Sequence, residues 1–506
     1  MIRTRDLLRL SAVAVAMAFG VLLAGGASLL SLGSGEVSAQ SAQRPNIVFV
    51  LTDDQMPGTE NRMPALQNNL VREGVKFTNM TSTFPLCCPG RATLLRGQYV
   101  HNTQIYGNSP PAGGWRKFQA SGLQRSTFAT WLDDRGYQTG LFGKLMNNYR
   151  EEGKGSIPPG WDRWYAWNGV DMGWTSVNDQ GTRKPLDRPE ADSLVAEEAL
   201  GFLDSRLRGP SPPVLAYVNF GAMHKPFAHA KVDEKKFSGV NVPRTPAFNE
   251  KDVRDKPSYV RNQPRLSNKK ISRLDQDYRN GLRSLMRVDR FIADATDLLR
   301  RRGELSNTYF IFYTDNGAHF GQHRFEHGKL QPYEEDVNFP LIVRGPGLPH
   351  GEVNTGLVGN HDVAPTLAEM AGATAPAFVD GRSFLGLAQN PATALWTRTA
   401  ILSERETDSV APNMWDMLRM KDAGGVKVYT RHEMGPGDGD KEYYDLSRDP
   451  NQLHNALGAA DTTYPAPDDA TLAYYEERLD ALYSCAGQSC RTAEDVSLLP
   501  GGPTPP

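Results

Sequence analysis

Four apolar runs in this sequence each end in residues able to hold an ion. Residues 46–51 (NIVFVL) lead into Thr52-Asp53-Asp54, and residues 309–313 lead into Thr314-Asp315-Asn316-Gly317. Residues 138–142 lead into Gly143-Lys144, and residues 214–220 are followed by His224-Lys225. Asp53, Asp54, Asp315 and Asn316 are hard oxygen donors of the kind Ca²⁺ or Mg²⁺ selects, whereas Lys144 and His224 would face negative charge. In an open parallel sheet the carboxyl ends of the strands border one crevice, where ligands bind. Polar residues after a strand are also ordinary turn formers. Four such ends with complementary chemistry favour a site over four unrelated turns.

A second concentration lies at residues 86–97 (LCCPGRATLLRG). Adjacent Cys87 and Cys88 cannot readily pair with each other, and unpaired thiols in an exported protein are open to oxidation. Free cysteines are often just small buried hydrophobes. Against that stands the spacing Cys87-x-Pro89-x-Arg91, followed by a helix-like run that stops at Gly97. The other pair, Cys485 and Cys490, is expected to form a local disulfide that caps the terminal helix.

The elements that must position these groups follow from periodicity. From Pro45 onward, short β-branched and aromatic runs alternate with amphipathic stretches, which predicts an α/β fold around a large, mainly parallel sheet flanked by helices. Residues 341–343 add a further strand. Helices are predicted at 126–135, stopped by Gly136; at 282–302, stopped by Gly303; and at 362–370, capped by Asp362. Beyond about residue 385 the chain turns more polar. Strand-like pieces at 425–430 and 442–446, separated by a Gly/Asp/Pro stretch at 435–440, predict a smaller antiparallel subdomain. The expected division is a catalytic domain over 40–385, a C-terminal subdomain with a terminal helix at 471–484 over 386–497, and a disordered tail at 498–506.

The 506 residues hold 56 Lys+Arg against 58 Asp+Glu, a formal net charge of −2. Near balance argues against a bulk grip on nucleic acid or an anionic membrane surface, while leaving room for a local basic pocket. At the N-terminus, Arg3, Arg5 and Arg9 precede an apolar stretch at 11–32, and Val37-Ser38-Ala39 has the small-x-small pattern of a cleavage site. This predicts a signal peptide over 1–39 and a secreted, periplasmic or cell-surface protein without stable membrane insertion. An uncleaved anchor is the alternative, because the apolar run is almost long enough to span.

The segment 87–97 resembles the signature of the formylglycine-dependent sulfatases of the alkaline-phosphatase-like superfamily, in which the first Cys of Cys-x-Pro-x-Arg is oxidised to an aldehyde. The resemblance extends over most of the chain: residues 46–54, 136–144, 313–317 and 339–347 are similar to that family's successive motifs. PLCCPGRATLLRGQYVHN (85–102), GKLMNNY (143–149), PPGWDRWYAWNG (158–169) and GELSNTYFIFYTDNGAHFGQH (303–323) look most like the N-acetylglucosamine-6-sulfatases and the heparan-sulfate 6-O-endosulfatases. The long basic insert of the endosulfatases is absent, which favours an exo-acting or small-substrate enzyme.

The resemblance implies Ca²⁺, with Mg²⁺ as the alternative, at Asp53, Asp54, Asp315, Asn316 and the modified Cys87. It implies a hydrated aldehyde (3-oxoalanine, formylglycine) at Cys87 whose hydroxyl attacks sulfur, releases the substrate alcohol, and then collapses to expel sulfate. Arg91, Lys144 and Lys329 would be fixed cations around the diol and the sulfate, and His224 a general acid at the leaving oxygen. It also implies a formylglycine-generating enzyme as partner during maturation and a sulfated small molecule or glycan as substrate. Arylsulfatase or phosphate/phosphonate monoesterase chemistry, and a catalytically silent glycan-binding protein with Cys87 left as a thiol, are the competing readings. Met146 stands where many sulfatases carry His, with Asn147 or Asn148 as substitute polar contacts, and Gly90 stands where Ser is common, a change the motif should tolerate. His319, His323 and His327 lie four apart, like a zinc-binding helical face, but Gly317, Gly321 and Gly328 favour a loop, so calcium is preferred to zinc.

Overall fold

The computed structural model describes residues 44–150, 156–170, 173–209, 211–392, 394–406, 414–434 and 439–498. The expected signal peptide at 1–39 and all of the expected tail after Leu498 lie outside the described residues. The continuous apolar runs become strands because both faces of the sheet are covered, which suits β-branched and aromatic side chains at every position. Ten strands form the main sheet: β1 (Asn46–Thr52), β2 (Val75–Phe77), β3 (Gln138–Gly143), β4 (Arg163–Val170), β5 (Gly173–Asp179), β6 (Thr182–Pro185), β7 (Val214–Asn219), β8 (Thr308–Thr314), β9 (Leu341–Arg344) and β10 (Glu352–Asn354). Their order is β10-β2-β9-β8-β1-β7-β3-β4-β5-β6. The five strands β8-β1-β7-β3-β4 run parallel, and antiparallel pairing begins at β9 on one side and at β5 on the other.

Register sorts the two faces. Phe49 lies opposite Tyr217, and the two rings stack at 5.1 Å. Phe142 lies opposite Val218 and meets Phe202 at 5.5 Å. Five helices matter most to the sheet: α1 (Cys87–Arg96), α2 (Phe128–Asp133), α3 (Ala191–Arg206), α4 (Asn268–Arg302) and α5 (Val363–Met370). Phe128 of α2 packs edge-on against Tyr217, and Phe202 belongs to α3, so helices cover opposite faces of one sheet.

Helix boundaries differ from the periodicity in instructive ways. The helix expected at 126–135 is only α2, closed by reciprocal Thr127–Thr130 hydrogen bonding at its start. The helix expected at 282–302 begins at Asn268, where the Ser267 side chain accepts the Lys270 amide. Its first turns continue the apolar stripe through Ile271, Leu274 and Tyr278, which Lys269, Lys270 and Arg273 dilute in the sequence. It ends as expected at Gly303, with φ 74°. Asp362 precedes α5, but its carboxylate does not cap the helix; it accepts the Gly359 and Arg382 amides and pairs with Arg398.

The C-terminal sheet is β11 (Ala400–Arg405), β12 (Met414–Asp422), β13 (Gly425–Met434) and β14 (Lys441–Asp445), antiparallel throughout. Helices α6 (Asp469–Tyr483) and α7 (Gln488–Glu494) follow, and a Cys485–Cys490 disulfide joins them. Tyr99, just before residues 100–103, packs in the apolar cluster of this sheet, and its hydroxyl donates to Glu494 at 2.6 Å.

Candidate active site

The carboxyl ends of β1, β3, β7 and β8 and the first turn of α1 meet at one buried cluster. Asp53 and Asp54 follow β1; Asp54 adopts φ 54°, a left-handed turn that aims two successive carboxylates into the same space. Asp315 and Asn316 follow β8. The Asp54 amide donates to Asp315 Oδ1 at 3.4 Å, and Asn316 Nδ2 donates to Asp54 Oδ1 at 2.7 Å, so the two strand ends are tied together. Asn316 Oδ1 is buried without a hydrogen-bond partner.

Cys87 opens α1 with no exposed surface. Its Sγ lies 3.5 Å from Asp53 Oδ1 and 4.0 Å from Asp54 Oδ1, and it accepts Lys329 Nζ at 2.8 Å. Ligand atoms of Asp53, Asp54, Cys87 and His224 fall within 4.8 Å of one another, a spacing that one metal ion could bridge. Lys329 also bonds Asp54, and Lys144 bonds Asp53. Arg91, one turn along α1, is fully buried; its Nε donates to Asp315 Oδ2 at 2.8 Å, and Nη1 donates to the Lys144 carbonyl at 2.6 Å and to Asn219 Oδ1 at 3.1 Å. His224 Nε2 stands 3.3 Å from Asp54 Oδ2, and its Nδ1 stands 2.7 Å from the Lys225 carbonyl. All nine residues singled out for this chemistry are therefore brought together.

Electrostatics within the cluster follow from burial and charge. Burial alone would raise the Asp53 carboxyl, but Lys144 and His224 outweigh it and hold it below its usual range. Burial of Asp54 is likewise outweighed, by Lys329 and His224. Asp315 goes the other way: burial and the neighbouring Asp53 charge raise it despite Arg91. Carboxylates this close compete for the available positive charge, and a hard divalent cation would relieve the competition. Burial and the Asp53 charge also push the Cys87 thiol well above its ordinary range. An unmodified thiol here is a poor nucleophile, because the thiolate is the reactive form. Cys88, pushed up to about 11 by burial, accepts the Asn147 amide at 3.1 Å and serves as a packed neighbour.

Several partners escaped the sequence reading. Asn219, the last residue of β7, is a buried polar group inside an apolar run, and that anomaly was its signal. Trp174 lies 5.5 Å from Lys144 Nζ and 4.8 Å from Trp167, placing an aromatic pair beside the cluster; β4 and β5, which carry them, form an antiparallel ladder that the helix-and-strand alternation did not suggest. Met146 is buried; Asn148 donates to the Asn108 carbonyl and Ser109 Oγ, both at 2.9 Å. The three histidines do not converge. His319 Nδ1 pairs with Asp336 at 2.9 Å and His323 Nδ1 with Glu250 at 2.7 Å, while burial drives His327 down to about 3. His319 and His327 lie on the short antiparallel strands His319–Phe320 and His327–Gly328, not on a helix, and this hairpin delivers Lys329. Glycine fits at residue 90, where a Cβ would come within 2.6 Å of the Asp315 carbonyl oxygen, so a side chain at this position requires the Asp315 loop to move.

The sequence model of the family described as Sulfatase matches residues 45–373, and that described as N-sulphoglucosamine sulphohydrolase, C-terminal, matches residues 321–465. The N-acetylglucosamine-6-sulfatase of Capra hircus is 30% identical over 495 residues, covering 90% of this chain and 86% of the goat protein. The extracellular sulfatase SULF-1 homologue of Drosophila melanogaster is 34% identical over 365 residues, covering 70% of this chain but 32% of the fly protein. The Caenorhabditis elegans counterpart, a putative extracellular sulfatase by name, is matched over 49% of its length, so the chain spans about a third to a half of these two relatives. Among solved structures, BT4656 in complex with its substrate D-glucosamine-2-N,6-O-disulfate superposes with a TM-score of 0.70 at 21% identity, covering 90% of this chain and 99% of that one. The phosphonate monoester hydrolase of Agrobacterium radiobacter superposes with a TM-score of 0.65 at 20% identity, covering 87% and 96%.

Proposed function

Because this chain belongs to the sulfatase family, we propose that it is a sulfuric ester hydrolase that removes sulfate from a sulfated sugar, with Cys87 acting after conversion to formylglycine. The observation that carries the proposal is the position of Cys87 Sγ, 3.5 Å from Asp53 Oδ1 and 2.8 Å from Lys329 Nζ, inside a largely buried set of acids, amide and cations. Burial and the Asp53 charge favour the neutral thiol over the thiolate at Cys87, so we assign the nucleophilic role to the modified residue. The goat relative is named for N-acetylglucosamine 6-sulfate and the solved neighbour binds a 6-O-sulfated glucosamine, so a 6-O-sulfated glucosamine is the substrate class of choice.

Asp53, Asp54, Asp315 and Asn316 fit a hard divalent cation, and the orphaned Asn316 Oδ1 supplies the neutral donor such a set needs. When bound, calcium would polarise a sulfate oxygen as a Lewis acid. Lys144 and Lys329 supply fixed positive charge to the sulfate, and Arg91 holds Asp315 and the Lys144 backbone in register. The Lys225 carbonyl can only accept, so His224 Nδ1 carries a proton towards it; a second proton on Nε2 suits both the Asp54 contact and donation to a departing alcohol oxygen. The Trp167–Trp174 pair lines a small pocket with His224 and Lys225, where the sugar would lie.

Export fits the same reading. Among the described residues no helix is long and apolar enough to cross a membrane, and the Cys485–Cys490 disulfide suits an oxidising compartment. A formylglycine-generating enzyme would be the maturation partner. The test is mass spectrometry of the Cys87 peptide from a host able to install formylglycine, together with assays on N-acetylglucosamine 6-sulfate, an aryl sulfate and an aryl phosphonate. Oxoalanine at residue 87 and preference for the sugar sulfate are expected. An intact thiol with no sulfate-ester turnover would leave only a glycan-binding role, and preference for the phosphonate would move the activity to phosphonate esters.

A further inference from the structure

His224 stands five residues beyond Asn219, the end of β7, so the intervening turn must fix where its ring lies. On one side this turn is tied to the strand end that carries the acids. The Asp53 amide donates to the Ala222 carbonyl at 2.7 Å, and the Met223 amide donates to the Asp53 carbonyl at 2.6 Å. Within the turn the His224 amide donates to the Gly221 carbonyl at 2.8 Å, which makes the Gly221 peptide its base. What holds that peptide from the other side is a carboxyl group on a different element.

Asp192, in the first turn of α3, accepts the Gly221 amide on Oδ1 at 2.8 Å. The Ala222 amide also hydrogen-bonds this carboxyl. Trp167 of β4 reaches the same place. A Cβ on Gly221 would come within 3.1 Å of two Trp167 ring atoms and 3.7 Å of Asp192 Oδ1, so glycine lets ring and carboxyl approach the peptide together. Trp167, Asp192, Gly221 and His224 line one small pocket. An acid in the first turn of a helix often serves only the helix dipole, but this one directs its oxygens to the His224 turn. Burial pushes the carboxyl up to about 7 against the pull of the two amides. A carboxyl accepts an amide hydrogen in either protonation state, so the tie does not depend on its charge.

We propose that Asp192 is a positioning residue: through the Gly221 amide it holds the turn that sets His224 Nε2 3.3 Å from Asp54 Oδ2, where a departing alcohol oxygen would take its proton. This rests on the reading of His224 as proton donor. Loss of the carboxyl leaves the Gly221 amide without its acceptor and frees the turn to shift, and a misplacement of about 1 Å in a reacting group costs on the order of 100-fold in rate. Acting through His224, Asp192 affects the step in which the alcohol leaves. A sugar contact from the same pocket wall would affect binding instead.

The experiment follows release of N-acetylglucosamine from its 6-sulfate in a single turnover, with matured enzyme in excess, and extracts the maximal rate and the half-saturating enzyme concentration. The proteins are the wild type, Asp192→Ala, Asp192→Asn, His224→Ala and the Asp192→Ala/His224→Ala double variant, each shown by its thermal midpoint to be folded at the assay temperature. Asp192→Leu, of similar volume and without an acceptor, replaces the alanine in the same cycle if that variant does not fold. Asp192→Ala should lower the maximal rate about 10- to 100-fold with half-saturation within about twofold of the wild type. Asp192→Asn, which keeps one accepting oxygen, should recover most of the rate. In the His224→Ala background Asp192→Ala should cost nothing further, the non-additivity of groups that act as a unit. An equal loss from Asp192→Ala in both backgrounds, a wild-type rate in Asp192→Ala, or weaker half-saturation at an unchanged maximal rate would each overturn the positioning role while leaving His224 as donor. A wild-type rate in His224→Ala would instead overturn the proton-donor reading, and the positioning role with it.

Discussion

Gly90 packs against the backbone carbonyl of Asp315: a Cβ at residue 90 would lie 2.6 Å from that oxygen. The contact joins the helix that begins with Cys87 to the loop that carries two of the oxygen donors, so a side chain here would disturb both halves of the cluster together. Gly90→Ala should cost about 1–3 kcal/mol of stability by overpacking and lower kcat/KM for the sugar sulfate. Thermal melts and initial rates check both. A variant as stable and active as the wild type would show that the Asp315 loop yields freely.

Chelation should remove activity and lower the melting midpoint, and added calcium should restore both. Binding at 100 times Kd would contribute about 2.7 kcal/mol. Asn316→Ala, which removes the unpartnered amide oxygen, should need more calcium for the same midpoint shift. A midpoint indifferent to calcium would argue against a cation at these four residues.

A pH dependence is expected far from the cluster. His101 Nδ1 lies 3.1 Å from both Glu404 oxygens, and its Nε2 lies 3.1 Å from the Cys485 carbonyl. Burial disfavours the charged ring, but Glu404 outweighs it and the pKa is pushed up to about 9 from 6.5. A raised folded-state pKa stabilises the fold fully below the unfolded value and loses that contribution as pH rises through the folded one. Stability should therefore fall by roughly 3 kcal/mol between about pH 6.5 and 9. His101→Gln should flatten the pH–midpoint curve over that window; parallel curves for variant and wild type would contradict it.

Reduction of Cys485–Cys490 should cost about 2 kcal/mol, as expected for a short closed loop. The bond joins α6 to α7, and α7 carries Glu494, which accepts Tyr99 and Arg398 in the core. A Cys485→Ser/Cys490→Ser variant should melt earlier and keep its kcat. Loss of kcat at a temperature where the variant is folded would mean that this corner reaches the active cluster.

The parts legible in the sequence were those with a strong local signature. Strands β1, β3, β7, β8 and β9 are continuous apolar runs, and the polar residues at the ends of four of them proved to share one site. Cys87 and Arg91 share α1, but Lys329 follows a hairpin more than 200 residues later, and their meeting is set by tertiary packing, so only a motif could suggest it. The first turns of α4 were missed although Ile271, Leu274 and Tyr278 extend its apolar stripe, because the charged residues around them, Lys269, Lys270, Arg273 and Asp275, dilute the pattern. The Trp167–Trp174 pair depends on how β4 and β5 pair, which alternation in a single strand does not fix. The close approach of Gly90 to the Asp315 carbonyl was not legible for a related reason, since that neighbour lies 225 positions later in the chain.

The most direct measurement of the central claim is inorganic sulfate released from N-acetylglucosamine 6-sulfate by the matured wild-type protein and by Cys87→Ala. The account predicts steady release by the wild type and none above background by the variant. Release that survives loss of the Cys87 side chain would contradict it.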